Sequence, residues 1–95
     1  MKTLYFYDSV KVQNIKGQEE DRRLTIAGVI DDENNTIKIG IAQCSPKDQF
    51  IKAKGRAIAT GRAKSSNPYM TISDVDSHLS TKTFVNKAKE IAKQY

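Results

Sequence analysis

The side chains best suited to chemistry in this sequence are the cations between Lys52 and Lys64. This stretch reads KAKGRAIATGRAK, so it carries only basic and uncharged residues. Lysine and arginine clustered on one element are typical of surfaces that bind phosphate groups. We therefore expect phosphate contacts from the basic residues of this segment and from one lysine shortly before it: Lys47, Lys52, Lys54, Arg56 and Arg62.

Two Gly-Arg-Ala triplets within this segment place Arg56 and Arg62 six residues apart. A helix turns by about 600° over six residues, so the two arginines point to different sides. They cannot form one clamp on a single helix face. Joint action on one ligand requires a second subunit or the end of a helix to bring them together.

Aromatic and basic side chains alternate near the beginning of the chain. Tyr5, Tyr7 and Lys11 share one side of a predicted strand, and Arg23, Thr25 and Lys38 join them if the strand register allows. Tyrosines between cations on a sheet can stack bases while the cations hold phosphates. The same tyrosines equally suit a half-exposed sheet or a subunit interface. Tyr5 and Tyr7 are our candidates for base stacking.

Residue types that could catalyse a reaction or hold a metal are sparse. Cys44 is the one cysteine and His78 the one histidine, and they lie far apart in sequence. Asp74, Asp76 and His78 alternate in a short run that metals can use, but no second cluster supports it. The sequence contains no P-loop, zinc spacing or nucleophile elbow. We expect a non-enzymatic protein with no catalytic residue, metal or cofactor.

Period-two hydrophobic patterns predict three strands in the first half of the chain: Thr3–Val12, Leu24–Ile30 and Ile37–Ile41. Asp8 interrupts the apolar side of the first strand, which indicates an edge position or a bulge. The polar segments 14–21 and 31–35 are the turns between them. A short fourth strand is predicted at Tyr69–Ser73.

Two helices complete the predicted secondary structure. Ser45 suits an N-cap and Pro46 a first helical position, which predicts a helix from Pro46 to about Lys64. The first turn of this helix either binds an anion or is capped by Ser45 and Asp48. Ser80 or Thr81 is expected to cap a second helix, which carries an apolar stripe at helical spacing: Phe84, Val85, Ala88, Ile91, Ala92 and Tyr95.

Gly55, Gly61 and Lys54 are unusual in the basic helix, and either close packing or a bound ligand would explain them. Gly55 and Gly61 each cost about 1 kcal/mol relative to alanine inside a helix. Either they allow another backbone to approach closely or they admit a ligand. Lys54 falls in the middle of the predicted apolar arc, where it either extends its ammonium to the rim or lines a pocket and meets Asp8.

Together these elements predict an α+β fold in the order β-β-β-α-β-α. An antiparallel sheet of three to four strands is expected, with both helices packed on one face. The 95 residues form a single domain, 1–95, and a domain this small is expected to form a homo-oligomer. The absence of a long apolar run argues against a membrane span, and the single cysteine favours the cytoplasm.

The motif CSPKDQF at residues 44–50, followed by KGRAIATGRA at 54–63, resembles small uncharacterised proteins of bacteriophages and other mobile elements. The resemblance brings no assigned catalytic residues. It implies an accessory protein in a bacterial host cell that acts by binding, either on nucleic acid or against a bacterial defence system.

Charge and resemblance lead to two hypotheses. The net charge of +5, from 16 basic and 11 acidic residues, favours a phosphate-bearing partner, either nucleic acid or a nucleotide signal bound as a counter-defence factor. The alternative is a protein–protein inhibitor of a nuclease or bacterial defence effector, comparable to an anti-CRISPR protein. In that case the acidic runs Glu19–Asp21 and Asp31–Glu33 matter as much as the basic helix.

Overall fold

A computed structural model of the protein describes residues 2–13, 15–44 and 51–94. It confirms an α+β fold in the predicted order β-β-β-α-β-α. The strands are β1 (Lys2–Gln13), β2 (Glu19–Asp31), β3 (Thr36–Cys44) and β4 (Met70–Ile72), and the helices are α1 (Lys52–Lys64) and α2 (Ser80–Lys93). None of the described helices is both long enough and apolar enough to span a membrane.

The four strands form one antiparallel sheet in the order β1-β2-β3-β4, so β1 is an edge strand. Its register with β2 is continuous from Lys2 opposite Ile30 to Gln13 opposite Glu19. Asp8 therefore marks an edge position rather than a bulge. The β1–β2 hairpin is longer than predicted, because the acidic run that begins at Glu19 belongs to β2. Lys11 lies opposite Asp21 there, an opposite-charge pair that favours continued pairing.

One face of the sheet carries the main hydrophobic core and packs against α2. Its buried strand residues alternate along β2 and β3, as the period-two pattern predicts: Leu24, Ile26, Ile30, Ile37, Ile39 and Ile41. Phe84 of α2 is 1% exposed and lies directly over Gly28, where a Cβ atom would come 2.6 Å from the ring carbon Cε1. The apolar stripe predicted for α2 is thus confirmed for Phe84, Val85, Ala88, Ile91 and Ala92, whereas Tyr95 lies outside the described residues.

The opposite face packs against α1 through small side chains. Ala27 and Ala42 of the sheet form a second buried cluster with Ala59 of the helix. The two helices therefore lie on opposite faces, and the expectation that both pack on one face was wrong. The physical reason lies in the sheet: one face presents large β-branched residues, whereas the other presents alanine and glycine, which admit a helix at short distance.

Gly40 of β3 allows this close approach. A Cβ atom at this position would overlap the backbone of Ala59 and Ala63 in α1. Gly61, for which close packing against another backbone was one of two expectations, instead faces open space. Lys54 is exposed on the same side of the helix, so the predicted apolar arc is the outward surface of α1. The sequence contains the required glycine, but on the strand rather than on the helix.

Both helices begin differently from the predictions. Ile51 has extended dihedral angles (φ −120°, ψ 112°), so α1 begins at Lys52 rather than at Pro46. The Ser45 cap and the other first-turn predictions, Pro46, Lys47 and Asp48, lie outside the described residues. A 3₁₀ turn at Ser77–Leu79 precedes α2, and Leu79 is the N-cap instead of Ser80 or Thr81. Asp76 caps this turn by accepting a hydrogen bond from the His78 amide at 2.9 Å.

The turn between β2 and β3 is organised by Asp31. Its carboxylate accepts hydrogen bonds from the side chain of Asn34 at 2.7 Å and from the backbone amides of Glu33 and Asn34. These donors, the Asn34 side chain foremost, lower the pKa of Asp31. The acidic run at Asp31–Glu33 therefore belongs to a hydrogen-bonded turn, in which Asn35 adopts a left-handed conformation at φ 52°.

Candidate cation–tyrosine site

The register of the sheet places the predicted aromatic and basic residues on the face that α1 covers. Tyr5 lies opposite Ala27, Tyr7 opposite Thr25, and Ser9 opposite Arg23. Directly opposed residues share a face, so Tyr5, Tyr7 and Arg23 all lie on the α1 side. Lys11 and Lys38 follow the same alternation. The register therefore does place Arg23, Thr25 and Lys38 on the same face as Tyr5, Tyr7 and Lys11.

Two cations of α1 lie over two tyrosines of β1. The Lys52 ammonium is 5.1 Å from the centre of the Tyr7 ring, and the Arg56 guanidinium is 5.9 Å from the centre of the Tyr5 ring. Both distances fall within the range of cation–π attraction. The Tyr5 hydroxyl also makes a hydrogen bond of 3.0 Å with Thr60 Oγ1. We call Tyr5, Tyr7, Lys52 and Arg56 the cation–tyrosine site.

Helix and strand geometry explains why the two pairs form together. Four residues of a helix rise about 6 Å, and two residues of a strand span about 6.6 Å. The spacing from Lys52 to Arg56 therefore matches the spacing from Tyr7 to Tyr5. Sequence reasoning identified all four residues but did not pair them. The matching of i,i+4 on the helix to i,i+2 on the strand is the signal that could have done so.

The tyrosines are only partly open to solvent. Tyr5 is 37% exposed and Tyr7 is half-buried beneath Lys52. A ring whose one face meets a cation retains at most its other face and its edge for a ligand. The packing thus favours tyrosines that orient the two cations, with any base stacking limited to the exposed part of Tyr5.

A cleft of about 210 Å³ opens beside the beginning of α1. Among the described residues it is lined by Tyr7, Asp8, Ser9, Arg23, Leu24 and Lys52. Arg23 and Lys52 bring two positive charges to it. Asp8 accepts a hydrogen bond from the Ser9 amide at 2.8 Å, which holds its carboxylate at the outer edge of β1. Sequence reasoning had linked Asp8 only to Lys54, which instead lies exposed on the outward side of α1, and had not assigned Ser9 to a site.

Arg62 lies at the other edge of the sheet from Arg56. Its Nη1 donates a hydrogen bond of 2.6 Å to the carbonyl oxygen of Ile41 in β3. Strand β4 pairs with β3 only from Ile37 to Ile39, so this carbonyl lies beyond the end of β4. Arg62 thus satisfies an edge carbonyl that the short strand leaves unpaired. The divergence of Arg56 and Arg62 predicted from helix geometry is confirmed by their contacts.

The remaining candidates do not join the cation–tyrosine site. Lys54 is exposed on the outward side of α1, and Lys47 lies outside the described residues. Cys44 ends β3 and is half-buried. Asp74, Asp76 and His78 occupy the connection before α2. Within residues 2–13, 15–44 and 51–94, no group of three histidine, cysteine or acidic side chains is arranged to hold a metal.

The charges of the fold are segregated by element. Helix α1 carries five cations without an acidic residue, whereas acidic residues concentrate at the start of β2 and in the β2–β3 turn. The cation–tyrosine site therefore lies in the most positive part of the described chain. Comparison with protein families, with curated protein sequences and with solved structures found no match to this chain.

Proposed function

We propose that the chain is a non-enzymatic binding protein for a phosphate-bearing ligand held at the cation–tyrosine site and its cleft. The observation that carries this proposal is that Lys52 from α1 and Arg23 from β2 line the same cleft, with Arg56 one helical turn farther along α1 over Tyr5. Two cations from separate elements thus face one cleft, and a third lies beside it. Cations so arranged offer several charge-assisted donors to one phosphate group.

Each part of the site has a distinct role in this proposal. Arg23 can hold two phosphate oxygens through its planar guanidinium, and Lys52 acts as a point charge on the opposite side of the cleft. Tyr7 keeps the Lys52 stem in place before the ligand arrives, which reduces the side-chain entropy lost on binding.

The size of the cleft restricts what it can hold. Pockets for whole small molecules usually measure about 300–1,000 Å³, and this cleft measures about 210 Å³. It accommodates one phosphate with its sugar, while the rest of the ligand extends across Lys52 toward Arg56 and the exposed part of Tyr5. A nucleotide or a short single-stranded segment suits this layout better than a duplex does.

The proposed cellular setting follows from the resemblance to phage and mobile-element proteins. A protein that captures a nucleotide signal or a single strand in the cytoplasm of a bacterial host can act as a counter-defence factor without catalysis. Binding alone suffices for this role, because a sequestered ligand is removed from its receptor by mass action.

Titration calorimetry with a ligand panel tests the proposal. The panel comprises inorganic phosphate, mononucleotides, cyclic nucleotides and short DNA and RNA single strands, at about 50 mM and about 200 mM salt. Affinity for at least one nucleotide or strand is expected to fall with salt, by a logarithmic slope of about 0.7 for each single-strand phosphate contacted. Absence of binding across the panel at the lower salt would exclude a phosphate ligand.

A second candidate function, the protein–protein inhibitor, is favoured by a different surface. Ile15, near the tip of the β1–β2 hairpin, is fully exposed, and the acidic residues at the start of β2 lie close to it. A fully exposed isoleucine can serve as an apolar anchor for a protein partner, with the acidic residues in the polar rim of the interface. If Ile15→Asp abolished co-purification with a host protein after nuclease treatment, this candidate would replace the first.

A further inference from the structure

Among the described strands, β1 has the longest edge without a partner strand. Strand β1 has 12 residues, whereas β4 at the other edge has three. Within the part of the chain that the structure describes, only β2 pairs with β1. A long free edge presents a row of amide and carbonyl groups that can pair with another strand.

The direction of the β1 backbone groups follows from the Asp8 contact. The Ser9 amide donates to the carboxylate of Asp8 at 2.8 Å, so it points away from β2. Backbone groups of alternate residues in a strand point to the same side. The amide and carbonyl groups of Thr3, Tyr5 and Tyr7 therefore also face the free edge.

A second observation gives the same direction from the other side of the sheet. The carbonyl oxygen of Ile39 accepts a hydrogen bond from the Tyr69 amide beside β4, so the backbone of Ile39 points away from β2. Its opposite residue Gly28 must then point toward β1, where it pairs with Leu4. Leu4 thus faces β2, and its odd-numbered neighbours in β1 face the free edge.

We propose that two copies of this chain pair through their β1 edges, antiparallel, about a twofold axis at Tyr5. In an antiparallel pair, residues whose backbone groups face the partner strand lie opposite one another. In β1 these are the odd-numbered residues, so odd-numbered residues of the two copies oppose each other, and so do even-numbered residues. Lys2 is the only basic even-numbered residue of β1, whose sequence is KTLYFYDSVKVQ. Only the register centred on Tyr5 places Asp8 opposite the partner's Lys2.

The same register also matches the apolar side chains. It places Leu4 opposite the partner's Phe6, on the face of the core. Both side chains pack against the core yet are only half-buried in one copy, and pairing covers them further. Shifting the register by two places Asp8 opposite Leu4, and shifting it by four places it opposite Phe6, which leaves a carboxylate among apolar side chains.

Asp8 also determines where the shared ladder ends. Its carboxylate already occupies the Ser9 amide, so that amide is not available to a partner strand. Pairing therefore extends from Lys2 to Asp8 and stops there. The remainder of the edge, toward Gln13, stays outside the interface.

Pairing brings two cation–tyrosine sites together, a consequence that rests on the proposed function whereas the pairing itself does not. The axis is perpendicular to the sheet, so both α1 helices lie on the same face. Opposed Tyr5 residues have Cβ atoms about 5 Å apart, and each ring has Arg56 above it at 5.9 Å. Two Arg56 and two Lys52 side chains then surround the axis and repel unless an anion lies between them. A phosphate-bearing ligand at the axis would strengthen the dimer.

Charge reversal tests the pairing without any ligand. In sedimentation velocity of the full chain, the wild type is expected to be a dimer. Asp8→Lys and Lys2→Asp alone are expected to be monomers, and the double variant to regain the dimer. A monomeric wild type, or two single variants that remain dimeric, would overturn the proposal.

Cysteine cross-linking supplies a second readout in case Asp8→Lys disturbs the edge. In a Cys44→Ser background, Tyr5→Cys is expected to form an oxidised dimer, because position 5 pairs with itself at a Cα separation of about 5.5 Å. The matched control Tyr7→Cys has Thr3 opposite and should remain monomeric under denaturing conditions. Equal cross-linking at both positions contradicts the register.

The two proposals can fail separately. A monomer that binds nucleotide refutes the pairing alone, and a dimer that binds no panel ligand refutes the proposed function alone.

Discussion

Replacing Gly40 by alanine is expected to destabilise the protein by about 3 kcal/mol or more, at the upper end of the cost of overpacking. The added Cβ atom would overlap the helix backbone at Ala59 and Ala63, which cannot move aside as a flexible side chain can. Domains of this size are stable by only about 5–15 kcal/mol. Urea unfolding followed by circular dichroism measures the loss.

The same substitution at Gly61 is the matched control. A Cβ atom there meets no heavy atom within 4 Å, and the residue lies in the interior of α1. Alanine at this helical position is expected to raise stability by up to about 1 kcal/mol. Equal destabilisation by the two alanines would show that α1 does not rest on β3 at Gly40.

Replacing Lys52 and Arg56 together by alanine is expected to weaken phosphate binding by at least 100-fold. A hydrogen bond to a charged group contributes about 1.5–3 kcal/mol, and about 1.4 kcal/mol changes affinity tenfold. Stability should change little, because each cation–π contact at an exposed site contributes about 0.5–1 kcal/mol. Calorimetry with the tightest ligand of the panel, beside a thermal melt, separates the two effects.

Two single variants control for the loss of positive charge. Lys54→Ala removes a cation from the outward side of α1 and should leave affinity within about threefold, because charges are screened over roughly 8 Å at physiological salt. Arg62→Ala should leave affinity similar but lower stability by about 1–3 kcal/mol, because the Ile41 carbonyl loses its donor. If either variant weakened binding as much as the Lys52 and Arg56 pair, general charge would account for binding.

The sequence predicted the sheet well because its signals are local. Alternating side chains along β1, β2 and β3 determine which residues face each way, and the register confirmed that Tyr5, Tyr7 and Arg23 share a side. The placement of the helices depends on packing between distant segments. Gly40 and Gly61 look alike in the sequence, and only the geometry of the assembled sheet distinguishes the glycine under the helix from the exposed one.

In the candidate site, too, residue types could be predicted from the sequence, whereas contacts between distant segments could not. Lys52, Arg56 and the tyrosines were identifiable as residue types that bind phosphates and bases. Their pairing depends on the path of α1 across β1, which no local pattern contains. Arg62 was indistinguishable from Arg56 by its flanking residues, because both lie within Gly-Arg-Ala triplets. It contacts Ile41 only because β4 ends early, a property of another part of the chain.

The most direct test of the central claim is an amide NMR titration with the nucleotide or single strand that calorimetry selects. Binding at the cation–tyrosine site predicts the largest shift changes at Tyr5, Tyr7, Lys52 and Arg56, together with Arg23 at the cleft. Lys64 and Lys93, cations at the ends of α1 and α2, should remain unchanged. Shifts concentrated on α2, or spread evenly over all lysines and arginines, would contradict the account.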